Sequence, residues 1–537
     1  MDQLASFLGF DSVTMGPVGL SSCTEASIPY PTSLPTAQFL SVEAHVVTNY
    51  TVTIPPGFEN SFAAPYAPLP ILNFCNVTLT YTHPGLGDKI KTQVWLPLGD
   101  LDSVGNGEGH QPPPKQNTGS ISRPPPPPGT AASKPSVAAA SPQASSPNPA
   151  PRPRRRLRRR HDGRRALRRR RPGRRRYAYF TGCSTGGRQA AVLAQRWPGD
   201  YDGYLAGAAS VRCQDVTAAL GPQARVLELG YAPPACEMRE LRRLVIQKCD
   251  GHDGVEDGLV SEPEQCFEAF DPRVHVGEEF VCEETGHKLK ITKEAVEVAM
   301  MAWEGLREDD GVVWGGVGHQ ADLAGSRFSW AATTCDYNNS DGATHPQCKP
   351  KPWSFATAWV QYFLLQDPAT PSDPTAFFKS GLPDIERLVY MGRQWYTSIL
   401  SAFDTDLSAL RDGGGKLLMW HGMADEAVPL NNSRAYYDAV AARDPEHVDE
   451  YLRYFEAPGL AHCGIGGDGN GLFPVRLLDV LRAWVEEGKA PESVAAMSKA
   501  ADPETGVRMK RELCRYPRKS TYDGVGDVAS AASFRCV

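Results

Sequence analysis

YAYFTGCSTGGRQAAVLAQRWPGDYDGYLAGAAS, residues 177–210, is the stretch whose reading decides the fold. Alternating apolar residues over 177–181 predict a short strand, and 187–197 carries apolar residues at helical spacing. Gly182-Cys183-Ser184-Thr185-Gly186 must then be a sharp strand-to-helix turn, a nucleophile elbow. Small residues flank the serine because its backbone angles are strained and its hydroxyl must stand clear of the sheet. The helix start behind it favours developing negative charge. A bare G-x-S-x-G arises by chance in many chains; the strand before it and the helix after it make this one informative.

Working outward, Cys183 beside the serine has a counterpart in Ala457-Pro-Gly-Leu-Ala-His-Cys-Gly-Ile-Gly-Gly467, where Cys463 follows His462 in a Gly-rich loop. A Cys183 to Cys463 disulfide would tie the two loops together; the bland alternative is two separate thiols. Between them, Lys416-Leu-Leu-Met-Trp-His-Gly-Met-Ala-Asp425 is an apolar strand followed by a loop aspartate. The chain order Ser184, Asp425, His462 is that of α/β hydrolases. His421 is the rival imidazole, but it ends a strand and reads as a packing residue. The alternative for Asp425 is a turn residue, as loop aspartates usually are, but its position after a sheet strand favours the triad role; Asp404, Asp406 and Asp412 lack that placement.

This Cys-Ser, Asp, His-Cys constellation resembles the tannase and feruloyl esterase family, over roughly residues 20–98 and 177–537. The resemblance implies an α/β fold: an α/β-hydrolase-type mixed sheet with an inserted lid domain. It also implies a carboxylic ester hydrolase acting on feruloyl or galloyl esters of plant cell wall or tannin. Ser184 would be the nucleophile, His462 the general base, Asp425 its orienting partner, and the Thr185 N–H one oxyanion donor. The alternative is a catalytically impaired member, since the second oxyanion donor is not found in the sequence, or a non-enzymatic member that serves as a binding protein.

Residues 23–98 read as β-rich over 44–54, 71–82 and 91–98, with Cys23 and Cys75 a staple, and in the family this part begins the catalytic domain. Residues 100–176 then change character, with a proline run, a Ser/Ala/Pro tract and an Arg-rich end. The Gly-rich oxyanion loop and the strand that related enzymes carry here are missing, so the sheet is expected to be incomplete. Three readings stay open: a disordered linker with a polyanion patch, a solvated insertion, or sequence from a retained intron or shifted frame in GC-rich DNA. The missing sheet segment favours the third. Residues 151–176 hold sixteen Arg against one Asp, so the chain's net charge of −6 conceals an acidic remainder near −21. Arg without interleaved aromatics argues against base recognition, so a nucleic-acid role is not expected.

Residues 211–400 depart from strand and helix alternation and read as the lid, with helical patterns at 238–248, 292–306 and 353–365. Sequence from 401 to 537 returns to α/β character: a strand at 416–421, a helix near 433–442, a strand at 450–456 and a helix at 473–487. Within the lid, Asp250-Gly-His-Asp253-Gly-Val255-Glu-Asp257-Gly-Leu259, bracketed by Cys249 and Cys266, places three carboxylates within eight residues. Glycines let that chain wrap a hard cation, with the Val255 and Leu259 carbonyls completing an oxygen shell. The spacing is not that of an EF-hand; it is similar to the family's structural calcium loop, and the alternative is an acidic turn. His252 is expected to face solvent.

Thirteen cysteines and sequons at Asn49, Asn76, Asn338 and Asn431 point to a secreted glycoprotein. Residues 1–22 lack a signal-peptide pattern, so the leader is either removed or the N-terminus wrongly assigned. No run is long enough to span a membrane. Cys514 and Cys536 are expected to close the tail, and Cys335 with Cys348 to close a lid loop. Cys213, Cys236 and Cys282 have no partner legible in the sequence, and the odd total leaves at least one unpaired.

Overall fold

The computed structural model describes residues 23–28, 38–50, 72–82, 84, 89–98, 177–308, 311–337, 346–367, 369–370, 381–465, 467 and 470–537. The Pro- and Arg-rich segment 100–176 lies outside the described residues, as does Asn338. The chain divides into two units. In the first, β1 (Gln38–Tyr50), β2 (Leu72–Thr82) and β3 (Ile90–Pro97) form an antiparallel sheet in the order β1-β2-β3. Cys23 and Cys75 are bonded across its small core of Ile28, Val42 and Val77. The first strand begins earlier than residue 44 because Gln38 to Glu43 pair with Thr82 to Thr78. Pairing with a neighbour, which the local pattern does not report, sets that boundary.

The second unit is built on four parallel strands: β4 (Tyr179–Cys183), β5 (Gly203–Gly207), β6 (Lys416–Gly422) and β7 (Leu452–Ala457), in the order β7-β6-β5-β4. Side chains alternate between its two faces. Tyr204, Ala206, Leu417 and Met419 join one core cluster, and Leu205, Leu418 and Trp420 join another. Both faces are therefore covered, as a parallel sheet requires. Among the described residues β4 pairs on one side only, with β5.

Helix α1 (Thr185–Arg196) follows β4 directly and buries Gly186, Gly187, Ala190, Ala191 and Ala194. A Cβ on Gly187 would come within 2.3 Å of the Gly207 carbonyl oxygen, so helix and β5 meet at backbone contact.

Most of the described residues between β5 and β6, the inserted region 208–415, fold around a second core that includes Leu241, Val298, Trp303, Trp330 and Trp359 and takes in Ala427 and Val428 from beyond β6. Helices α2 (Ala235–Cys249), α3 (Lys293–Glu304) and α4 (Leu382–Leu400) supply much of it, joined by short hairpins. Disulfides Cys236–Cys282, Cys249–Cys266 and Cys335–Cys348 staple the region. The buried Asp215 carboxylate pairs with Arg393 and pins α4 to the chain leaving β5.

After β6, helix α5 (Leu430–Arg443) covers one face of the sheet and α6 (Leu477–Glu487) the other. Strands β8 (Leu472–Pro474), β9 (Ser493–Ser498) and β10 (Lys510–Cys514) make a small antiparallel sheet that the sequence reading did not foresee. Cys514–Cys536 closes the tail. No helix among the described residues is long and apolar enough to cross a membrane.

Candidate active site

Ser184 stands between β4 and α1 with φ 60° and ψ −122°, a conformation costly to a non-glycine residue, on the order of 1–3 kcal/mol. The surroundings hold it there: Ser184 N–H donates to the Gly207 carbonyl (3.0 Å), and Arg188 N–H donates to the Ser184 carbonyl (2.9 Å). A Cβ on Gly182 would lie 2.3 Å from the Gly186 oxygen, so the elbow closes only with glycine there. Thr185 begins the helix, where backbone N–H groups have no intrahelical acceptor.

Asp425 lies in the loop that follows β6 and is 1 % exposed. One carboxylate oxygen accepts from Ala427 N–H and Val428 N–H, both at 2.8 Å. His462, from the loop after β7, places Nδ1 at 3.0 and 2.8 Å from the two carboxylate oxygens. That bond requires a proton on Nδ1, which leaves the Nε2 lone pair free to accept another. Burial acts to lower the His462 pKa, but the charge and hydrogen bond of Asp425 outweigh it and raise it above the ordinary imidazole value. Burial likewise acts to raise Asp425, yet the His462 charge and the His421 hydrogen bond hold that carboxyl well below the usual range.

The elbow and the His462 loop are bonded through Cys183–Cys463 (S–S 2.04 Å, Cα–Cα 6.1 Å). Cys463 adopts φ 54°, which turns the chain back towards the elbow immediately after His462. Ser184 and His462 line one pocket of ≈ 170 Å³, with Thr185, Ser210 and an apolar wall that includes Val216, Trp314, Phe328, Trp353 and Phe355. Phe328 meets the His462 ring edge-on, centroids 5.3 Å apart. Two cysteines adjacent to different residues of this pocket thus come together; Asp425 bonds His462, and Ser184 shares a pocket wall with that imidazole.

Two further groups in this region were not legible as contacts. His421, read as a packing residue, is fully buried, with Nε2 3.1 Å from an Asp425 oxygen and 3.0 Å from the Val428 carbonyl. Both neighbours are acceptors, so Nε2 carries the proton, and Nδ1, 2.8 Å from Ser433 Oγ, accepts from that hydroxyl when the ring is neutral. The signal available was the four-residue spacing in His421-Gly-Met-Ala-Asp425 at a strand end. Glu426 is the second: it is buried, accepts from His462 N–H (3.1 Å), and is pushed up to about 7 by burial and by the neighbouring Asp425 charge. An acid beside Asp425 in an otherwise apolar stretch was its only mark.

In the 250–259 loop, Asp250 accepts from the N–H groups of Asp257, Gly258 and Leu259 at 2.8–3.2 Å, and Asp253 from Val255 N–H. Asp257 pairs with the buried Arg511 at 2.6 Å. Burial, with repulsion from Asp253, pushes Asp257 up to about 6 against the pull of Arg511; burial also raises Asp253. Among the described residues these three carboxylates do not bring one oxygen each within 4.8 Å of one another, and they outnumber the one guanidinium that pairs with them. His252, expected to face solvent, is half-buried with Nδ1 enclosed. Cys236 and Cys282, unassigned from sequence, pair with each other around the nested Cys249–Cys266 bridge. Cys213 is the cysteine left free, buried, its thiol pushed up by that burial.

The tannase and feruloyl esterase family matches residues 158–537. A probable feruloyl esterase of Arthroderma benhamiae is 30% identical over 526 residues, 94% of this chain and 92% of that one. Among solved structures, a tannin acyl hydrolase from Aspergillus niger superposes with a TM-score of 0.68 at 19% identity, covering 97% of this chain and 96% of its own. Feruloyl esterase B from Aspergillus oryzae superposes with a TM-score of 0.61 at 17% identity, covering 96% and 100%. Profile match, sequence relative and fold agree: the chain belongs to the tannase and feruloyl esterase family of carboxylic ester hydrolases.

Proposed function

We propose that this protein hydrolyses feruloyl esters through an acyl-enzyme on Ser184. His462 Nε2 takes the Ser184 proton as Oγ attacks the ester carbonyl, and Asp425 stabilises the imidazolium that forms. The Thr185 N–H receives the developing oxyanion at the helix start. His462 then gives its proton to the departing alcohol. Water, deprotonated by the same nitrogen, attacks the acyl carbonyl, and the acid leaves with the proton returned to Ser184.

The observation that carries this reading is a single pocket walled by Ser184 and His462, with Asp425 bonded to the far nitrogen of that imidazole. The inserted region 208–415 serves as the lid, supplying Val216, Trp314, Phe328, Trp353 and Phe355 to the acid side. That apolar, aromatic lining favours a feruloyl over a galloyl group, since each galloyl hydroxyl buried without a partner costs about 1–3 kcal/mol. Hydrolysis of methyl ferulate and methyl gallate by wild type and Ser184→Ala tests the reading. Turnover of ferulate in preference to gallate, lost in the variant, is expected; equal rates in the two proteins would leave a binding protein in its place.

We further infer that Asp250, Asp253 and Asp257, with the Val255 and Leu259 carbonyls, hold a structural calcium ion. The charge balance against Arg511 supports this, and the ion takes no part in the reaction. Six disulfides and exposed sequons at Asn49 and Asn431 support folding in an oxidising compartment and secretion.

A further inference from the structure

Glu426 lies one residue beyond Asp425, and each of its carboxylate oxygens reaches a different segment of the chain. Oε2 accepts from the His462 backbone N–H (3.1 Å), at the start of the loop that carries the imidazole. Oε1 accepts from Ser326 Oγ (2.8 Å), in the inserted region. The Ser326 hydroxyl oxygen in turn accepts from Phe328 N–H (3.1 Å). Within the turn, Ser326 N–H donates to Ser329 Oγ (3.0 Å), and Ser329 Oγ donates to the Asp322 carbonyl (2.6 Å). Phe328 projects from this turn into the pocket wall and against the His462 ring, with the Arg327 guanidinium 4.6 Å over its own ring.

We propose that Glu426 is a positioning residue that locks the turn bearing Phe328 to the loop bearing His462, so that the acyl-side wall and the base keep a fixed spacing. The proposal rests on the ester hydrolase reading and goes beyond it in naming what sets the acyl wall. A carboxylate whose only task was to brace His462 would not need the second oxygen on Ser326. A buried acid beside another acid is also costly, with its proton equilibrium displaced upwards, and the two separate bonds are the return for that cost.

The test separates wall from base by using two esters and three variants. Ser326→Ala removes the link to Phe328 and leaves the bond from Glu426 to His462. Its KM for methyl ferulate should rise about tenfold, the loss of one buried hydrogen bond to a carboxylate, while kcat/KM for p-nitrophenyl acetate, whose acyl group has no aromatic ring to set against Phe328, stays near wild type. Glu426→Gln keeps both links, because its amide oxygen accepts from His462 N–H and its amide nitrogen donates to Ser326 Oγ; it should stay close to wild type on both esters. Glu426→Ala breaks both links and should lose kcat as well as raise KM. Wild-type KM for methyl ferulate in Ser326→Ala overturns the proposal, and so does a Glu426→Gln protein as impaired as Glu426→Ala. Failure of the ester hydrolase reading looks different: p-nitrophenyl acetate turnover that survives Ser184→Ala.

Discussion

Replacing both Cys183 and Cys463 by serine removes a cross-link between positions 280 residues apart. In the loop-closure description the effect on the unfolded chain grows only with the logarithm of loop length. The Cys236–Cys282 and Cys335–Cys348 bridges already shortcut part of this loop, to about 220 residues, so the entropic stabilisation stays near 5 kcal/mol. A Tm lower by about 5–10 °C follows for a unit of this size. The folded-state effect is separate. Without the bridge the elbow keeps its bond to Gly207, and His462 keeps Asp425 and Glu426, so each half of the site survives. What is lost is the restraint between the halves, and a misplacement of about 1 Å costs up to about 10² in rate. The double variant, assayed on methyl ferulate at 25 °C beside its circular dichroism and melting curve, should be folded yet ten- to a hundredfold slower in kcat, taking the lower part of that range as about tenfold. A folded double variant with wild-type turnover refutes the claim that the bridge sets the distance between nucleophile and base, and confines it to the unfolded chain.

The pH dependence of kcat/KM should show an acid limb above the ordinary imidazole value of about 6.5, because the base must be neutral and Asp425 raises the His462 pKa. In Asp425→Asn the limb should move down, with a rate loss of about 10⁴; an unmoved limb would detach Asp425 from His462. Chelation should lower the melting temperature, and by more at pH 7 than at pH 5. The sign follows from Asp257: with its folded-state pKa raised to about 6, its contribution in the cation-free protein is full below the unfolded value near 3.9 and lost as pH rises through 6. The cation needs the ionised form, so its stabilisation grows over that same range; a pH-independent chelator effect, or none, removes the calcium loop.

The local patterns carried much of the fold. Gly187, Ala190, Ala191 and Ala194 repeat at helical spacing on the face that meets the sheet, and Leu417 to Trp420 is an unbroken apolar run because both faces of its strand are covered. The β8-β9-β10 sheet was not legible: its strands are short, and what stabilises them is pairing between residues as far apart as Leu472 and Ser498. Cys236 and Cys282 gave no local sign of each other because their bridge encloses another. Cys183 and Cys463 did, since each sits beside a reactive residue. The second contacts of Asp425 and Glu426 were hidden for a related reason. A sequence shows that an acid follows a strand, but not which of several loops closes over it.

Three restraints on His462 act on three different quantities. Asp425 acts through charge and tautomer, so its removal must appear in the pH profile. The disulfide acts through distance, carries no charge, and must leave that profile in place while lowering kcat. Glu426 reaches the pocket wall through Ser326, so loss of the Ser326 hydroxyl must appear in KM for an aromatic acyl group. A site in which His462 were merely packed into a buried corner would respond to all three changes alike, through general loosening. Three separable kinetic signatures would therefore mean that proton affinity, nucleophile distance and acyl fit are held by different bonds, even though those bonds converge on two adjacent acids and one histidine loop.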